Sequence, residues 1–495
     1  MACQENIVHI TPVNALPPLK IGVFFDGTGN NRTESAKLSN VFYLYEMYLG
    51  DGKEIESNFK TRKFYQRGVG SHEDDSFTES GMGAGAGKRF DNALFHIEKY
   101  IKEYADNLKS ELPQIIQIDV FGFSRGAAMA RHFVNCIKQN YFDFKDPEIN
   151  KAFSNKNIKI NFLGIFDTVG SFGIAGDNID DGYSFHIKPS WIESKAVHIY
   201  ALNEYRWGFD LQALSKEQDS NYPINIFDEK LIEVGLPGVH SDIGGGYTMN
   251  ELEQFTDNSL LACMALEVMA NYAIDNKVPL SCDYKDAGRR SAAANNKSFG
   301  EVETCFNVIK PYIEDNNLRA PIGLWREHIA LADICQFKLD KANSDLKNLW
   351  AGEDDSVVDQ HKSNVRRYER KLKLINDQVA LSEHVLEKKF NSESEFKDFK
   401  INYDILYQNY MHRSHSPFNS TPFMGKEDAD DNFWLWNKTI SDERPHRDIF
   451  YNQFKDFDKI NNRMKKRVGG RKGNSNNPVE FHPLESELWN DKTLD

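Results

Sequence analysis

The stretch of this sequence best suited to nucleophilic chemistry is a serine between two glycines, Gly122-Phe123-Ser124-Arg125-Gly126. The β-branched run before it predicts a buried strand, and the small and apolar residues after it predict a helix. The glycines lack Cβ atoms, so the chain can turn tightly and the helix can lie close to the strand. The pattern predicts a turn that exposes the Ser124 hydroxyl and aims the Arg125 N–H at an oxyanion. A tight turn whose serine has no chemical role is the alternative.

A serine nucleophile needs a base, and the base needs a group that orients it. Two later apolar runs also predict buried strands: Asp167 follows the run 158–166, and His240 follows the run 230–239. We interpret His240 as the general base and then the general acid, with Asp167 holding its imidazole in the required tautomer. The order serine, aspartate, histidine is the order found in α/β hydrolases.

Other residues compete for the roles of base and orienting acid. His412 and His415 lie in a loop-like stretch late in the chain and are the alternative bases. Asp242 is two residues from His240, too close to orient that ring in the usual way, so we expect it to hold the adjacent glycine turn. Asp26 is a weaker alternative for the orienting acid.

A second oxyanion donor is predicted after the first apolar run, residues 19–25. There the chain continues as Asp26-Gly27-Thr28-Gly29. In α/β hydrolases a loop after an early strand supplies a backbone N–H to the oxyanion, and Gly27 or Thr28 could supply it here. A plain turn capped by Asp26 is the alternative.

The glycine-rich stretch 81–89 superficially resembles a phosphate-binding loop. Met82 occupies the position of the first required glycine, and Arg89 replaces the serine or threonine that would bind magnesium. We therefore predict a flexible glycine turn that leads into an amphipathic helix over residues 90–108.

Composition limits the classes of partner and cofactor. The formal charge of −14 argues against nucleic acid as the main partner. The six cysteines are scattered without metal-ligand pairs, which is typical of core thiols in a reducing compartment, and we expect no metal or cofactor. The first residues lack the pattern of a signal peptide and no window is long and apolar enough to span a bilayer. If the protein acts outside its cell, we therefore expect export by a route that uses no cleaved signal.

The alternation of strands and helices predicts an α/β fold of the α/β-hydrolase-like kind, with a mostly parallel sheet flanked by helices. A chain of 495 residues is too long for one core. We expect a catalytic domain over residues 1–280 and a helix-rich module over residues 281–495. Residues 282–323 look irregular, and two long helices are predicted at about 325–349 and 357–391. The module is either a helical hairpin or a lid or membrane-contact region.

Several of these segments together resemble the first family of type VI secretion lipase effectors, whose catalytic domain is an α/β hydrolase. The resemblance extends over roughly residues 19–250, about half of the chain. It is carried by residues 24–31, 122–128, 166–171, 201–206 and 238–247. One departure from the family pattern is Asn203, where an aspartate is expected, and it lies outside the catalytic set.

The resemblance implies a phospholipase A that bacteria deliver into the periplasm of rivals to attack glycerophospholipids. Its catalytic triad would fall on Ser124, Asp167 and His240. A phospholipid membrane is then the expected target, with a secretion spike protein and a cognate immunity protein as possible partners. The protein would reside in the cytoplasm of the producing bacterium before delivery.

Two other functions remain open from the sequence. One is a serine esterase or thioesterase that acts on soluble acyl compounds. The other is a membrane-binding protein without activity on a hydrolase scaffold, against which the complete serine, aspartate and histidine set argues.

Overall fold

The computed structural model contains one six-stranded sheet whose strands all run parallel. The strands are β1 Leu19–Phe25, β2 Lys60–Gln66, β3 Ile116–Phe123, β4 Ile158–Phe166, β5 Ile192–Ala201 and β6 Leu231–Leu236. Their order in the sheet is β2-β1-β3-β4-β5-β6. The structure describes residues 18–28, 30, 38–50, 60–68, 84–108, 112–170, 185–204, 209, 211–212, 214, 229–246, 260–281, 299–349 and 354–411.

Helices flank this sheet. They are α1 Asn40–Met47, α2 Ala84–Leu108, α3 Arg125–Gln139, α4 Pro147–Ala152, α5 His240–Gly244 and α6 Leu260–Asp275. Every residue of β1 is buried, as expected for a parallel strand covered on both faces, and this burial explains its continuous apolar sequence. The predicted fold class, an α/β-hydrolase-like parallel sheet flanked by helices, is confirmed.

Helix α2 begins earlier than the sequence suggested. We expected a glycine turn before residue 90, but the helix starts at Ala84 and contains Gly87. A long buried face that includes Ala93 and Ile97 packs α2 on the sheet, and such tertiary packing outweighs the low helix propensity of glycine.

The strand order reverses between β1 and β3, because β2 lies on one side of β1 and all later strands lie on the other. In open parallel sheets, ligands bind in the crevice at the carboxyl ends of the strands where the order reverses. Thr28 follows β1 by three residues and Ser124 follows β3 directly, so both lie at this point.

Within the described residues, the chain divides into two compact units. The first holds the sheet, α1 to α6, and residues 299–306 and 405–411. The second holds residues 307–349 and 354–404. The remaining helices are α7 Phe299–Glu314, α8 Asn316–Lys347, α9 Asp355–Glu387 and α10 Glu393–Asn409.

The second unit is helical, and α8 and α9 pack on each other through a core that includes Cys335, Leu339, Tyr368 and Ile375. The irregular segment predicted over residues 282–323 is wrong from residue 299 onward, where α7 and the start of α8 are helical despite Pro311 inside α7. None of the helices in the described ranges is both long and apolar enough to cross a membrane.

A tight junction in the first unit is the contact between α3 and the end of β1. A Cβ atom at Gly126 would lie 2.3 Å from the Phe25 carbonyl oxygen and 2.4 Å from that of Asp26. Both neighbours are backbone atoms, so a side chain at residue 126 would push α3 away from the sheet.

We predict that Gly126→Ala lowers the free energy of unfolding by about 1–3 kcal/mol, the usual cost of overpacking a close contact. Gly87→Ala is the matched control, because a Cβ there meets nothing within 4 Å and alanine favours helix. It should raise stability by up to about 1 kcal/mol. Urea denaturation of both variants measures the two free energies of unfolding. Equal changes in the two variants would contradict a close contact between α3 and the end of β1.

Candidate active site

Ser124 occupies a strained turn between β3 and α3. Its backbone angles are φ 59° and ψ −127°, which a residue other than glycine rarely adopts. The backbone is fixed on both sides: the Ser124 N–H donates to the Phe166 carbonyl oxygen at 3.0 Å, and its own carbonyl accepts from the Ala127 N–H at 3.0 Å. The side chain makes no capping hydrogen bond to α3. The turn thus has the strand–turn–helix geometry predicted for a nucleophile.

Asp167 and His240 are in direct contact at the same edge of the sheet. The distance from His240 Nδ1 to Asp167 Oδ2 is 2.6 Å, and both side chains are buried. The other carboxylate oxygen of Asp167 accepts from the Ala201 N–H at 2.8 Å. Because a carboxylate only accepts, the imidazole carries its proton on Nδ1, which leaves Nε2 as the basic nitrogen.

The His240 ring lies beside the serine turn. His240 is the first residue of α5, and its ring centroid is 4.6 Å from that of Phe123, the residue that precedes Ser124. Phe209 packs edge-on against the same ring at 4.8 Å. Asp242, which we expected to hold the adjacent turn, accepts from the Val239 N–H at 3.0 Å.

The predicted oxyanion turn after β1 is held by a buried carboxyl. Asp26 accepts from the Gly27 N–H at 2.6 Å and from the Tyr65 hydroxyl. Burial raises the pKa of the Asp26 carboxyl, and these hydrogen bonds oppose that rise. The Gly27 N–H therefore already has an acceptor within the turn, and Asp26 serves the turn while Asp167 contacts the histidine.

Thr28 joins this turn to the serine turn. Its hydroxyl accepts from Arg125 Nε at 2.6 Å, across the point where the strand order reverses. Burial, followed by repulsion from Arg89, lowers the pKa of the Arg125 guanidinium to about 10. The first backbone N–H groups of a helix have no partner within it, and Arg125 is the first residue of α3.

A second buried histidine supports the Asp167 turn, and sequence reasoning missed it. His198 Nε2 accepts from the Thr168 N–H at 3.1 Å, while His198 Nδ1 contacts Glu233 at 2.9 Å. Asp167 itself has a positive φ of 36°, so the bond at Thr168 holds a strained residue in place. The signal in the sequence was a histidine and a glutamate inside two apolar strands, because polar residues there need partners.

The alternative bases, His412 and His415, lie outside the described residues. Among the residues that the structure describes, no group of three or more histidines, cysteines, aspartates or glutamates is arranged to hold a metal ion.

The sheet and its helices define an α/β-hydrolase-like protein, and comparison with known sequences narrows the class. A sequence profile described as "T6SS, Phospholipase effector Tle1-like, catalytic domain" matches residues 20–141 and 139–271, which together make half of the chain. The chain therefore belongs to the Tle1-like family of type VI secretion phospholipase effectors, as the sequence motifs had indicated. Its catalytic domain is a hydrolase domain of the lipase or esterase kind.

Comparison with a solved structure shows a similar fold. An uncharacterized protein from Pseudomonas aeruginosa is 19% identical, with a TM-score of 0.50, over 87% of this chain and 68% of its own. The Tle1 effector bound to the VgrG spike of the type VI secretion system is 20% identical, with a TM-score of 0.37, over 83% of this chain and 89% of its own. No protein of curated function matches the chain at a significant level.

The histidine that supports the Asp167 turn yields a stability prediction. Glu233→Ala should lower the free energy of unfolding by about 2–4 kcal/mol, because it leaves the buried His198 Nδ1–H and Leu214 N–H without their acceptor. Glu233→Gln keeps an oxygen that accepts from both groups and should cost less than half as much. Chemical denaturation at neutral pH measures the difference, and equal losses in the two variants would show that the acceptor oxygen is unimportant.

Proposed function

We propose that this protein hydrolyses the acyl esters of glycerophospholipids through an acyl-enzyme on Ser124, as a phospholipase A. The observation that carries the proposal is the 2.6 Å contact between His240 and Asp167 beside the strained serine turn. Serine hydrolases require a histidine held in one tautomer near the turn that carries the serine, and the contacts of His240 with Asp167 and Phe123 support such an arrangement.

The first half of the proposed reaction forms the acyl-enzyme. His240 Nε2 takes the Ser124 hydroxyl proton as the oxygen attacks the ester carbonyl, and Asp167 stabilises the imidazolium that results. The negative charge moves to the former carbonyl oxygen. The backbone N–H groups of Arg125 and Thr28 are the donors we assign to that oxyanion, since the Gly27 N–H is engaged by Asp26.

Collapse of this intermediate breaks the ester bond. His240 gives its proton to the departing lysophospholipid oxygen, and the acyl group stays on Ser124. Water then enters, His240 removes its proton, and attack on the acyl-enzyme releases the fatty acid and restores the serine. Each step uses groups of this chain and water alone.

Family membership supports the proposed delivery and partners. We propose that a type VI secretion system carries the protein from the producing cytoplasm into the periplasm of a target cell, where the phospholipid membrane is its substrate. A spike protein is the delivery partner that fits this route, and an immunity protein would protect the producer. We also propose that residues 1–280 form the catalytic domain and residues 281–495 the helix-rich module.

Fatty-acid release from phospholipid vesicles tests the assigned residues. Ser124→Ala and His240→Ala should each lower kcat by about 10⁴-fold or more, because the two groups act as one unit. His384→Ala is the matched control, since this histidine is exposed on α9 and should leave the rate unchanged. An active His240→Ala variant would move the base to His412 or His415.

The same assay separates the proposed function from its alternatives. A wild-type protein that cleaves short soluble esters but ignores vesicles is an esterase or thioesterase. Binding to vesicles without turnover of any ester would indicate a membrane-binding protein on a hydrolase scaffold. Equal rates for wild type and Ser124→Ala would overturn the acyl-enzyme mechanism.

Thr28 offers a test of the oxyanion turn. Thr28→Val removes the hydroxyl that accepts from Arg125 Nε–H but keeps the backbone N–H of residue 28. The turn therefore loses its hydrogen bond to α3. We expect kcat to fall about tenfold with little change in KM, because a misplaced donor weakens only the transition state. Thr28→Ser restores the hydroxyl and should restore most of the rate. A serine variant as slow as the valine variant would argue against a role for the hydrogen bond between Arg125 and Thr28.

A further inference from the structure

A cavity of about 540 Å³ opens at the carboxyl end of β2 in the first unit. Its walls come from the end of β2, the first turns of α2 and the segment before α4. Among the described residues that line it, four are basic, Arg67, Lys88, Arg89 and Lys145, and one is acidic, Asp91; the half-exposed ring of Phe95 also contributes. We call these residues the cationic pocket.

The charge of the cationic pocket opposes that of the whole protein. The chain has a formal charge of −14, yet the described part of the cavity lining holds four basic side chains and one acidic side chain. Like charges gathered in one concave site repel each other, and an anion in the cavity relieves that repulsion. The arrangement is therefore typical of a site for an anionic ligand.

Backbone contacts link the cationic pocket to the oxyanion turn. The Gln66 carbonyl at the pocket wall accepts from the Asp26 N–H at 2.9 Å. Arg89 donates to the Gly68 carbonyl at 3.5 Å, and Gly68 packs so closely on Gly27 that a Cβ atom there would be 1.7 Å from the Gly27 oxygen. The pocket thus adjoins the turn that we assign to the oxyanion.

Arginine extends the positive charge toward the nucleophile. Arg89 interacts electrostatically with Arg125, which follows Ser124 directly and reaches Thr28. Positive charge therefore continues from Arg89 to the residue that follows Ser124. A ligand with an ester at Ser124 and an anionic group nearby would match this distribution of charge.

We propose that the cationic pocket binds the phosphodiester group of the phospholipid whose acyl ester lies at Ser124. This inference rests on the proposed function and names the part of the substrate that fixes its position. Guanidinium groups pair two donors with two phosphate oxygens, and ammonium groups add point charge. A volume of 540 Å³ lies within the range of small-ligand sites and suits one head group, not a polymer.

The charge balance also predicts head-group preference. A phosphatidylglycerol head group carries one net negative charge, while phosphatidylcholine adds a quaternary ammonium that four basic side chains would repel. The cationic pocket should therefore favour anionic phospholipids. Phe95, an aromatic ring at the edge of the pocket, suits the boundary between head groups and acyl chains.

The test compares two triple variants of the full-length protein. Arg67→Gln, Lys88→Gln and Lys145→Gln together remove three exposed cations of the pocket. Lys99→Gln, Lys151→Gln and Lys156→Gln remove three exposed lysines that do not line it, so both proteins change net charge equally.

Each protein is assayed on monomeric dihexanoyl phosphatidylglycerol, on the phosphatidylcholine analogue and on the uncharged ester p-nitrophenyl hexanoate. In the pocket variant, the ratio of kcat/KM for phosphatidylglycerol to kcat/KM for the uncharged ester should fall about tenfold, mainly through KM, since charge-assisted bonds to phosphate are lost. The ratio of kcat/KM for phosphatidylglycerol to kcat/KM for phosphatidylcholine should fall as well. The control variant should keep both ratios, and an unchanged ratio in the pocket variant would overturn the inference.

A binding measurement keeps this inference separate from the proposed function. Calorimetric titration of dihexanoyl phosphatidylglycerol into Ser124→Ala protein should show binding that the pocket substitutions weaken about tenfold, even if wild type cleaves no phospholipid. Inorganic phosphate is titrated in parallel. Binding of phosphate as tight as that of the lipid would overturn the lipid assignment, as would a lipid affinity that the pocket substitutions leave unchanged.

Discussion

The structure depends on how closely the start of α3 approaches the end of β1. Only a residue without a side chain fits at 126, where a Cβ atom would lie 2.3 Å from the Phe25 carbonyl oxygen. This contact places Arg125 against Thr28 and leaves Ser124 to absorb the change of direction at a φ of 59°. The strain is retained because hydrogen bonds fix the backbone on both sides of the serine. The position of Ser124 and the strain in its backbone therefore have one origin.

Buried polar groups organise the rest of the carboxyl edge. Asp26 holds the turn after β1, while Asp167 holds His240 and is itself held through Thr168 by His198. Each buried carboxylate has donors close to it, so these groups stabilise particular backbone conformations instead of destabilising the core. Hydrogen bonds therefore hold the backbone at this edge without any substrate, and stabilisation of an oxyanion needs donors held in this way.

The sequence predicted the elements that depend on local pattern. Buried parallel strands are continuous apolar runs, so the strand ends at Asp167 and His240 could be located, and the glycines at 122 and 126 marked the turn. It did not predict contacts that depend on strand order, such as Glu233 against His198, because the partners lie on separate strands. The early start of α2 was missed because its stability comes from packing, not from propensity.

The central claim is that Ser124 is a nucleophile activated by His240, and covalent labelling tests it most directly. A fluorophosphonate reacts with an activated serine, and peptide mass spectrometry then locates the adduct. We expect one adduct, on Ser124, that forms rapidly in wild type and very slowly in His240→Ala. An adduct on another serine, or labelling of Ser124 at the same rate without His240, would contradict it.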